Sequence, residues 1–290
     1  MGSEDSGDGT GASGVGDDAG GVAPDATPDG GEAVAPDDYT PREQMVSAAA
    51  REIDDGDVAF VGMRLPLIAF QVAVSTHAPN ATSVFESGVV RDDPADGFLH
   101  TMCDLPNLNR AVSLTGMTDV MGRLARGDVD VGFLGGAEID RHGNLNTTRV
   151  RAGDREVRLP GSGGACDIAC MAGRTVILMA HEPRRFVERV EYVTSPGHGA
   201  DGDLRDGDGP PGGGPDALVT TKATFGFEDG ELYLRSRHSG VEAGEVASDF
   251  PWDLRTSEDV HGTPVGETDP PTVEELDLVR SFDPDGFWTV

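Results

Sequence analysis

From residue 57 onward, short apolar runs of strand length alternate with longer segments of helical spacing, and this alternation restricts the chain to a narrow set of folds. The runs DVAFVG (57–62), TSVFE (82–86), DVGFLGG (130–136) and RTVILMA (174–180) have the length and apolar content of buried strands. Between them, LPLIAFQVAVSTHA (65–78), TDVMGRLARG (118–127, with Gly127 as a stop) and GACDIACMAG (164–173) read as helices. The stretch ALVTTKATFGFEDGELYLRSR (217–237) reads as a strand followed by a hairpin with EDGE at its turn. Apolar strands separated by helices imply an α/β fold, a mostly parallel sheet covered by helices on both faces. In such a sheet the carboxyl ends of the strands line the ligand crevice.

The ends of the chain are different in kind. Residues 1–38 hold ten acidic residues and no basic one in a background of Gly, Ala, Pro and Ser. A segment so poor in apolar surface cannot offset its ordering entropy, so it is expected to be a disordered acidic tail ahead of one domain, 39–290. TPREQMVSAAAREI is expected to open that domain as a helix, with Thr40 as N-cap, Pro41 in the first position and Met45, Ala48, Ala49 and Ile53 as its apolar stripe. Residues 198–216 read as a loop, and DPPTVEELDLVRSF (269–282) as a final amphipathic helix capped by Asp269 or Thr272.

Charge excludes several functions. The 52 acidic residues outnumber the 22 basic ones, for a net charge of −30, and Lys222 is the only lysine. Such a surface repels nucleic acid and anionic membranes, and its dispersed acid with little lysine resembles adaptation to high salt. Three cysteines, Cys103, Cys166 and Cys170, are too few for a disulfide framework and suit a reducing cytoplasm. Cys166 and Cys170 have helical spacing, but no His or Cys pair completes a metal site, so no metal is expected. No apolar run approaches the ~20 residues of a membrane span. The chain reads as a soluble, cytoplasmic protein without nucleic-acid or membrane partners.

Three clusters of small residues carry the chemistry. VFESGVV (84–90) presents Glu86 at the end of a strand with Ser87 and Gly88 behind it. GGAEIDRHGNLNTT (135–148) puts a glycine pair after a strand and an HGN turn beyond it, and RLPGSGGACDIA (158–169) leads a glycine-rich turn into a helix. Such a turn exposes backbone N–H groups able to hold a phosphate, a carboxylate or the oxyanion of a tetrahedral intermediate. Each cluster alone is also compatible with a plain turn.

Together, in order, they resemble the family I coenzyme A transferases, most closely the beta subunit of the glutaconate CoA-transferase type. The resemblance rests on GMRLPLIAFQVAVSTHAPN, FESG, GFLGGAEIDRHGNLNTT, RLPGSGGACDIA, ILMAHEPRRFVERVEYVTSPG and TVEELDLVRSFDP, and it covers most of residues 40–290. It implies that Glu86 is the nucleophile and that the backbone around Gly163, Gly164 and Ala165 stabilises oxyanions. Ser87, Gly88, Arg64, Glu138 and Asn144 would then belong to the pocket region. It further implies a ping-pong exchange of CoA through a glutamyl-CoA thioester, with acyl-CoA as a substrate rather than a resident cofactor. An alpha subunit is implied as partner in a hetero-oligomer. A glutamate suits this role because its carboxylate, with an ordinary pKa of ~4.3, needs no base at neutral pH.

Two departures stand near the expected pocket. The family's G-T-G-L-P is here Gly62-Met63-Arg64-Leu65-Pro66, and a family Gln is here Glu138. Arg64 and Glu138 are expected either to compensate each other or to reshape acyl selectivity. Acyl-CoA hydrolysis or ring cleavage on the same scaffold is an alternative, although the relatives that do this lack the E-S-G glutamate. A non-catalytic subunit that binds CoA esters is a second alternative, against which the glycine-rich loop argues.

Overall fold

The computed structural model describes residues 39–290 except Asp154 and Asp206; the expected acidic tail, residues 1–38, lies outside the described residues. In chain order the elements begin with α1 (Pro41–Ala50), β1 (Val58–Phe60), α2 (Leu65–Ser75), β2 (Thr82–Val84), β3 (Val89–Arg91), α3 (Leu105–Leu108), β4 (Ser113–Leu114), α4 (Met117–Ala125) and β5 (Val131–Leu134). Two small hairpins follow, β6 (Glu138–Ile139) with β7 (Leu145–Asn146) and β8 (Arg149–Ala152) with β9 (Arg155–Arg158). The chain continues through α5 (Ala165–Met171), β10 (Arg174–Met179), β11 (Pro215–Thr220), β12 (Ala223–Glu228) and β13 (Glu231–Arg237). It ends with α6 (Ala243–Ser248), β14 (Arg255–Thr256), α7 (Ser257–His261), β15 (Gly266–Glu267) and α8 (Val273–Phe282).

Among the described residues, eleven strands form one sheet in the order β14-β13-β12-β11-β10-β5-β1-β2-β3-β4, with β15 also on β13. Its centre, β11-β10-β5-β1-β2, is parallel throughout. The hairpins β2-β3-β4 and β11-β12-β13 are antiparallel, because two-residue turns such as Asp229-Gly230 can only reverse the chain. The sheet is therefore mixed but mostly parallel, as expected: the parallel centre positions the site, and β14 and β15 also pair parallel with β13.

Alternating side chains of the central strands bury opposite faces, as the period of two requires. Val131, Phe133, Val176 and Leu178 pack with the α1, α2 and α8 layer, whereas Leu134, Ile177 and Met179 pack with Val120 and Leu124 of α4 and Ile168 of α5. Helix α1 begins as its sequence dictates: Thr40 and Glu43 form a reciprocal capping box and Pro41 takes the first turn. Its stripe is wider than the apolar pattern, since every residue from Glu43 to Ala50 is buried. The buried Glu43 is neutralised by Arg280 of α8 at 2.8 Å. Thr272, not Asp269, caps α8, again through a box with Glu275. The loop 198–216 is tied down by Arg205, whose guanidinium donates to the carbonyls of Ala169, Pro196, Gly197 and Gly212. No helix of the described residues is long and apolar enough to cross a membrane.

Two buried histidines sit beyond the ends of β10 and β13. The His181 Nδ1 lies 3.0 Å from Thr220 Oγ1, and the His238 Nε2–H donates to the Thr220 carbonyl at 2.8 Å. Burial pushes both imidazoles from the ordinary 6.5 down to about 4, and for His181 it outweighs the Asp249 carboxylate 3.2 Å from Nε2. As pH falls, the unfolded chain takes up these protons first, so their contribution is complete above pH 6.5 and lost towards pH 4. The urea midpoint should therefore decline over that window at constant salt, and His238→Gln should flatten the decline relative to the parent. An identical slope in the variant would contradict the assignment.

Candidate active site

Strand β2 ends at Val84, two residues earlier than its sequence pattern suggests, and Glu86 stands at the tip of the turn into β3. The turn is closed by its own backbone: the Phe85 N–H donates to the Val89 carbonyl at 2.9 Å and the Gly88 N–H to the Phe85 carbonyl at 2.8 Å. Gly88 is required twice over. Its φ of +101° is a glycine conformation, and a Cβ there would lie 2.3 Å from the Thr115 carbonyl oxygen. Thr115 approaches so closely because its N–H and Oγ1 both donate to the Gly88 carbonyl, at 2.8 and 3.0 Å. The Ser87 Oγ is buried without a hydrogen-bond partner among the described residues.

The half-buried Glu86 carboxylate faces the glycine turn before α5. A Cβ placed on Gly164 would stand 3.2 Å from Glu86 Oε1 and 3.5 Å from its carboxyl carbon, with Met121 Cε 3.8 Å away. The carboxylate therefore lies against backbone, and only the missing side chain of Gly164 allows it. The turn is anchored at its start by a reciprocal pair, in which the Gly161 N–H donates to the Thr147 carbonyl and Thr147 Oγ1 to the Gly161 carbonyl. The Ala165 N–H donates to the Ser162 carbonyl at 3.0 Å and is thereby occupied, whereas the Gly163 and Gly164 N–H groups make no hydrogen bond among the described residues. Those two amides are left as unpaired donors beside the Glu86 carboxylate.

Beyond this turn, the carboxyl ends of β1, β5, β10 and β11 surround a cavity of about 640 Å³. Its wall is made of 62–66, 133–137, 159–162 with Ala165, 178–180, and single residues from distant segments, among them Arg42, Arg185, Thr221 and Trp288. Glu86 is outside the wall and reaches it through Gly164 and Ala165. The wall carries Arg42, Arg64 and Arg185 against Glu182 alone, three cations to one anion, in a chain whose net charge is −30. Glu182 is already held by Arg184 at 2.5 Å and Arg185 at 3.3 Å. Burial raises its carboxyl and these two arginines, outweighing burial, lower it on balance. Arg185 also donates to the Gly136 carbonyl at 3.1 Å, and Arg42 to those of Trp288 and Val290.

Arg64 stands apart from these. It caps α2 with φ 71° and ψ −127°, a region suited to glycine and costly for any side chain, on the order of 1–3 kcal/mol. Its guanidinium carbon lies 5.5 Å from the centre of the Trp288 ring. It forms no ion pair with Glu138, and the two substitutions do not compensate by contact: Glu138 Oε2 instead accepts from Asn146 Nδ2 at 2.8 Å. Asn144 is a scaffold residue in this structure. Its amide donates to the Asp140 carboxylate and the Gly199 carbonyl and accepts from the Gly197 N–H, which locks the HGN turn. Burial raises the Asp140 carboxyl above its ordinary range against these hydrogen bonds. Sequence reading did not single out Arg42, Arg185, Thr221 and Trp288, which meet the cavity only through tertiary packing.

A strand-end crevice, a carboxylate against a glycine turn and a cationic cavity therefore meet at one edge of the sheet. Residues 42–241 match the coenzyme A transferase family model. Over 254 residues the chain is 37% identical to a subunit of the 3-oxoadipate CoA-transferase of Pseudomonas knackmussii, covering 84% of this chain and 94% of that one. It is 33% identical to a subunit of the glutaconate CoA-transferase of Acidaminococcus fermentans, covering 84% and 95%. In both enzymes the matching subunit is the beta-type one. The crystal structure of glutaconate coenzyme A-transferase from Acidaminococcus fermentans superposes with a TM-score of 0.78 at 30% identity, over 87% of this chain and 98% of that chain. The decarboxylase AibA/AibB shares the fold as well, with a TM-score of 0.72 at 28% identity over 86% and 97% of the two chains. The chain belongs to the coenzyme A transferase family, and within it to the beta-type subunits.

Gly164→Ala isolates the contact on which this site is built. Gly164 has an ordinary φ of −79°, so the added methyl strains nothing but the Glu86 carboxylate, which must shift by a few tenths of an ångström. The expected result is an unchanged Tm with a loss of turnover on the order of tenfold or more, read by thermal melting and CoA-exchange kinetics on the same preparation.

Proposed function

We propose that the chain is the beta-type subunit of an enzyme that moves CoA from an acyl-CoA to a carboxylic acid, with Glu86 as the covalent nucleophile. The observation that supports this most is the Glu86 carboxylate lying against the side-chain-free backbone of Gly164, beside a cationic cavity. A Glu86 oxygen attacks the thioester carbonyl; the C–S bond breaks and gives a mixed anhydride and the CoA thiolate. A thiol pKa of ~8.5 makes that thiolate a good leaving group. The thiolate then attacks the Glu86 carbonyl and expels the first acid as its carboxylate, leaving a glutamyl-CoA thioester. A second carboxylate attacks this thioester to form a new anhydride, and the thiolate takes its acyl group and frees Glu86. The Gly163 and Gly164 N–H groups serve to stabilise each tetrahedral oxyanion, where one good donor contributes about 3 kcal/mol. One thioester replaces another, so the cycle is close to thermoneutral.

Transfer rather than hydrolysis requires that water be kept from the anhydride. Glu86 is only half-buried in this chain, and its turn is flanked by an apolar surface. Leu105, Val112, Leu114 and Met117 are 79%, 59%, 61% and 57% exposed, and β4 is the last strand on its side of the sheet. Leu114 pairs with Val89, next to Gly88, so a partner seated here would also cover Glu86. The 3-oxoadipate and glutaconate CoA-transferase relatives are each one subunit of their enzyme, and we assign this edge to an alpha-type subunit. Leu114→Asp should then abolish co-purification with that subunit while the isolated chain keeps its Tm. A complex that survives this change would place the partner elsewhere.

The chemistry is tested by incubating the complex with acyl-CoA, trapping with hydroxylamine and reading the Glu86 peptide by mass spectrometry. A CoA-dependent mass change on Glu86, with Glu86→Gln reducing exchange by roughly a thousandfold or more, is the expected outcome. Steady release of free CoA without an acceptor acid and without labelling would instead indicate hydrolysis. Full activity in Glu86→Gln would reduce this chain to a binding subunit.

A further inference from the structure

We propose that Thr147 is a positioning residue for the reaction, which holds the glycine turn so that the Gly163 and Gly164 amides stay beside the Glu86 carboxylate. The inference deepens the transferase reading and rests on it for its kinetic arm. The turn cannot hold itself. Gly161 and Gly163 have φ of +93° and +50°, and a Cβ on either would meet no atom within 4 Å outside the adjoining residues. No side chain packs there to fix a backbone that glycine leaves free to move. Among the described residues, the hydrogen bonds that tie 159–163 to distant segments all run to two threonines. The Leu159 N–H donates to the Thr148 carbonyl at 3.0 Å, and the Gly161 N–H to the Thr147 carbonyl at 2.8 Å. Thr147 Oγ1 completes the set by donating to the Gly161 carbonyl at 2.9 Å.

Thr147 is in turn fixed from behind. Its N–H donates to Thr194 Oγ1 at 2.9 Å, and the same oxygen lies 2.8 Å from Thr148 Oγ1. The buried Thr194 is itself tied to β7, where its N–H donates to the Leu145 carbonyl at 2.8 Å. Three threonines thus join the glycine turn to β7 and to the segment that follows β10. Thr147 also lines the cavity, but its hydroxyl proton is spent on Gly161 and is not left for a ligand. Removing that hydroxyl deletes one of the three distant ties and leaves the Gly161 carbonyl without its donor. The fold loses one hydrogen bond among many, whereas the two amides lose a fixed position. A misplacement of about 1 Å at a reacting centre is enough to cost roughly 100-fold in rate. The effect therefore falls on turnover rather than on stability or ligand affinity.

The test uses the full chain with the subunit that co-purifies with it. It compares the parent with Thr147→Val, which keeps the shape and loses the donor, and with Thr147→Ser, which keeps the donor. In Thr147→Val, kcat for CoA exchange is expected to fall by about 10- to 100-fold, with KM for the acyl-CoA and the acid within about twofold of the parent. Thr147→Ser should recover most of that kcat, and the Tm of both variants should stay close to the parent's. An unchanged kcat in Thr147→Val overturns the proposal, as does a serine variant as slow as the valine one. A rise in KM at constant kcat overturns it too, and makes Thr147 a ligand contact instead. Amide hydrogen exchange read by mass spectrometry, without any substrate, separates this failure from that of the transferase reading. The peptide spanning 159–166 should exchange faster in Thr147→Val than in the parent or Thr147→Ser, with β10 peptides unchanged, whether or not the complex transfers CoA. Equal exchange of that peptide in all three proteins overturns the proposal on its own.

Discussion

The parallel pairing of five strands, β2, β1, β5, β10 and β11, is the constraint on which the rest depends. Parallel hydrogen-bond ladders force all five to point the same way, so their carboxyl ends emerge along one edge of the sheet. The segments that follow, Gly62–Pro66, Phe85–Gly88, Gly135–Ala137, Ala180–Glu182 and Thr221, are thereby collected at that edge although they are scattered through the sequence. The central strands are buried on both faces and hold these ends rigidly. Chemistry that needs a carboxylate placed to within a fraction of an ångström can be supported only by such a frame.

Within that edge, function depends on absent side chains as much as on present ones. Gly88 lets the turn press against Thr115, and Gly164 lets the Glu86 carboxylate rest on backbone. Arg64 is the opposite case. It keeps a side chain where the backbone favours none, and that cation shares a wall with Arg42 and Arg185 inside an otherwise acidic protein. Local charge at the cavity is thus inverted relative to the whole.

Much of the frame was readable because its signals are local. Strand-length apolar runs, the N-cap at Thr40 and the Asp229-Gly230 turn act between residues a few positions apart, and each appears where the sequence places it. The glycine turn and Glu86 were readable for the same reason. The capping choice between Asp269 and Thr272 was not, because both residues suit the role and only the hydrogen bonds to Glu275 select one. Nor did the sequence separate the parallel centre from the antiparallel flanks, since register depends on which strands meet.

The sequence by itself therefore determined the central strands, the main helices and the glycine turns, which follow from backbone sterics and spacing along the chain, while the nucleophile candidate came from the resemblance to a known family. Tertiary structure alone decided that Glu86 meets Gly164 and that the Ala165 N–H is occupied. It also decided that Glu138 binds Asn146 instead of Arg64, and that Trp288 from the far end of the chain lies under Arg64. These contacts join segments whose proximity is set by sheet register and helix packing, and no local pattern of residues encodes a distance between them.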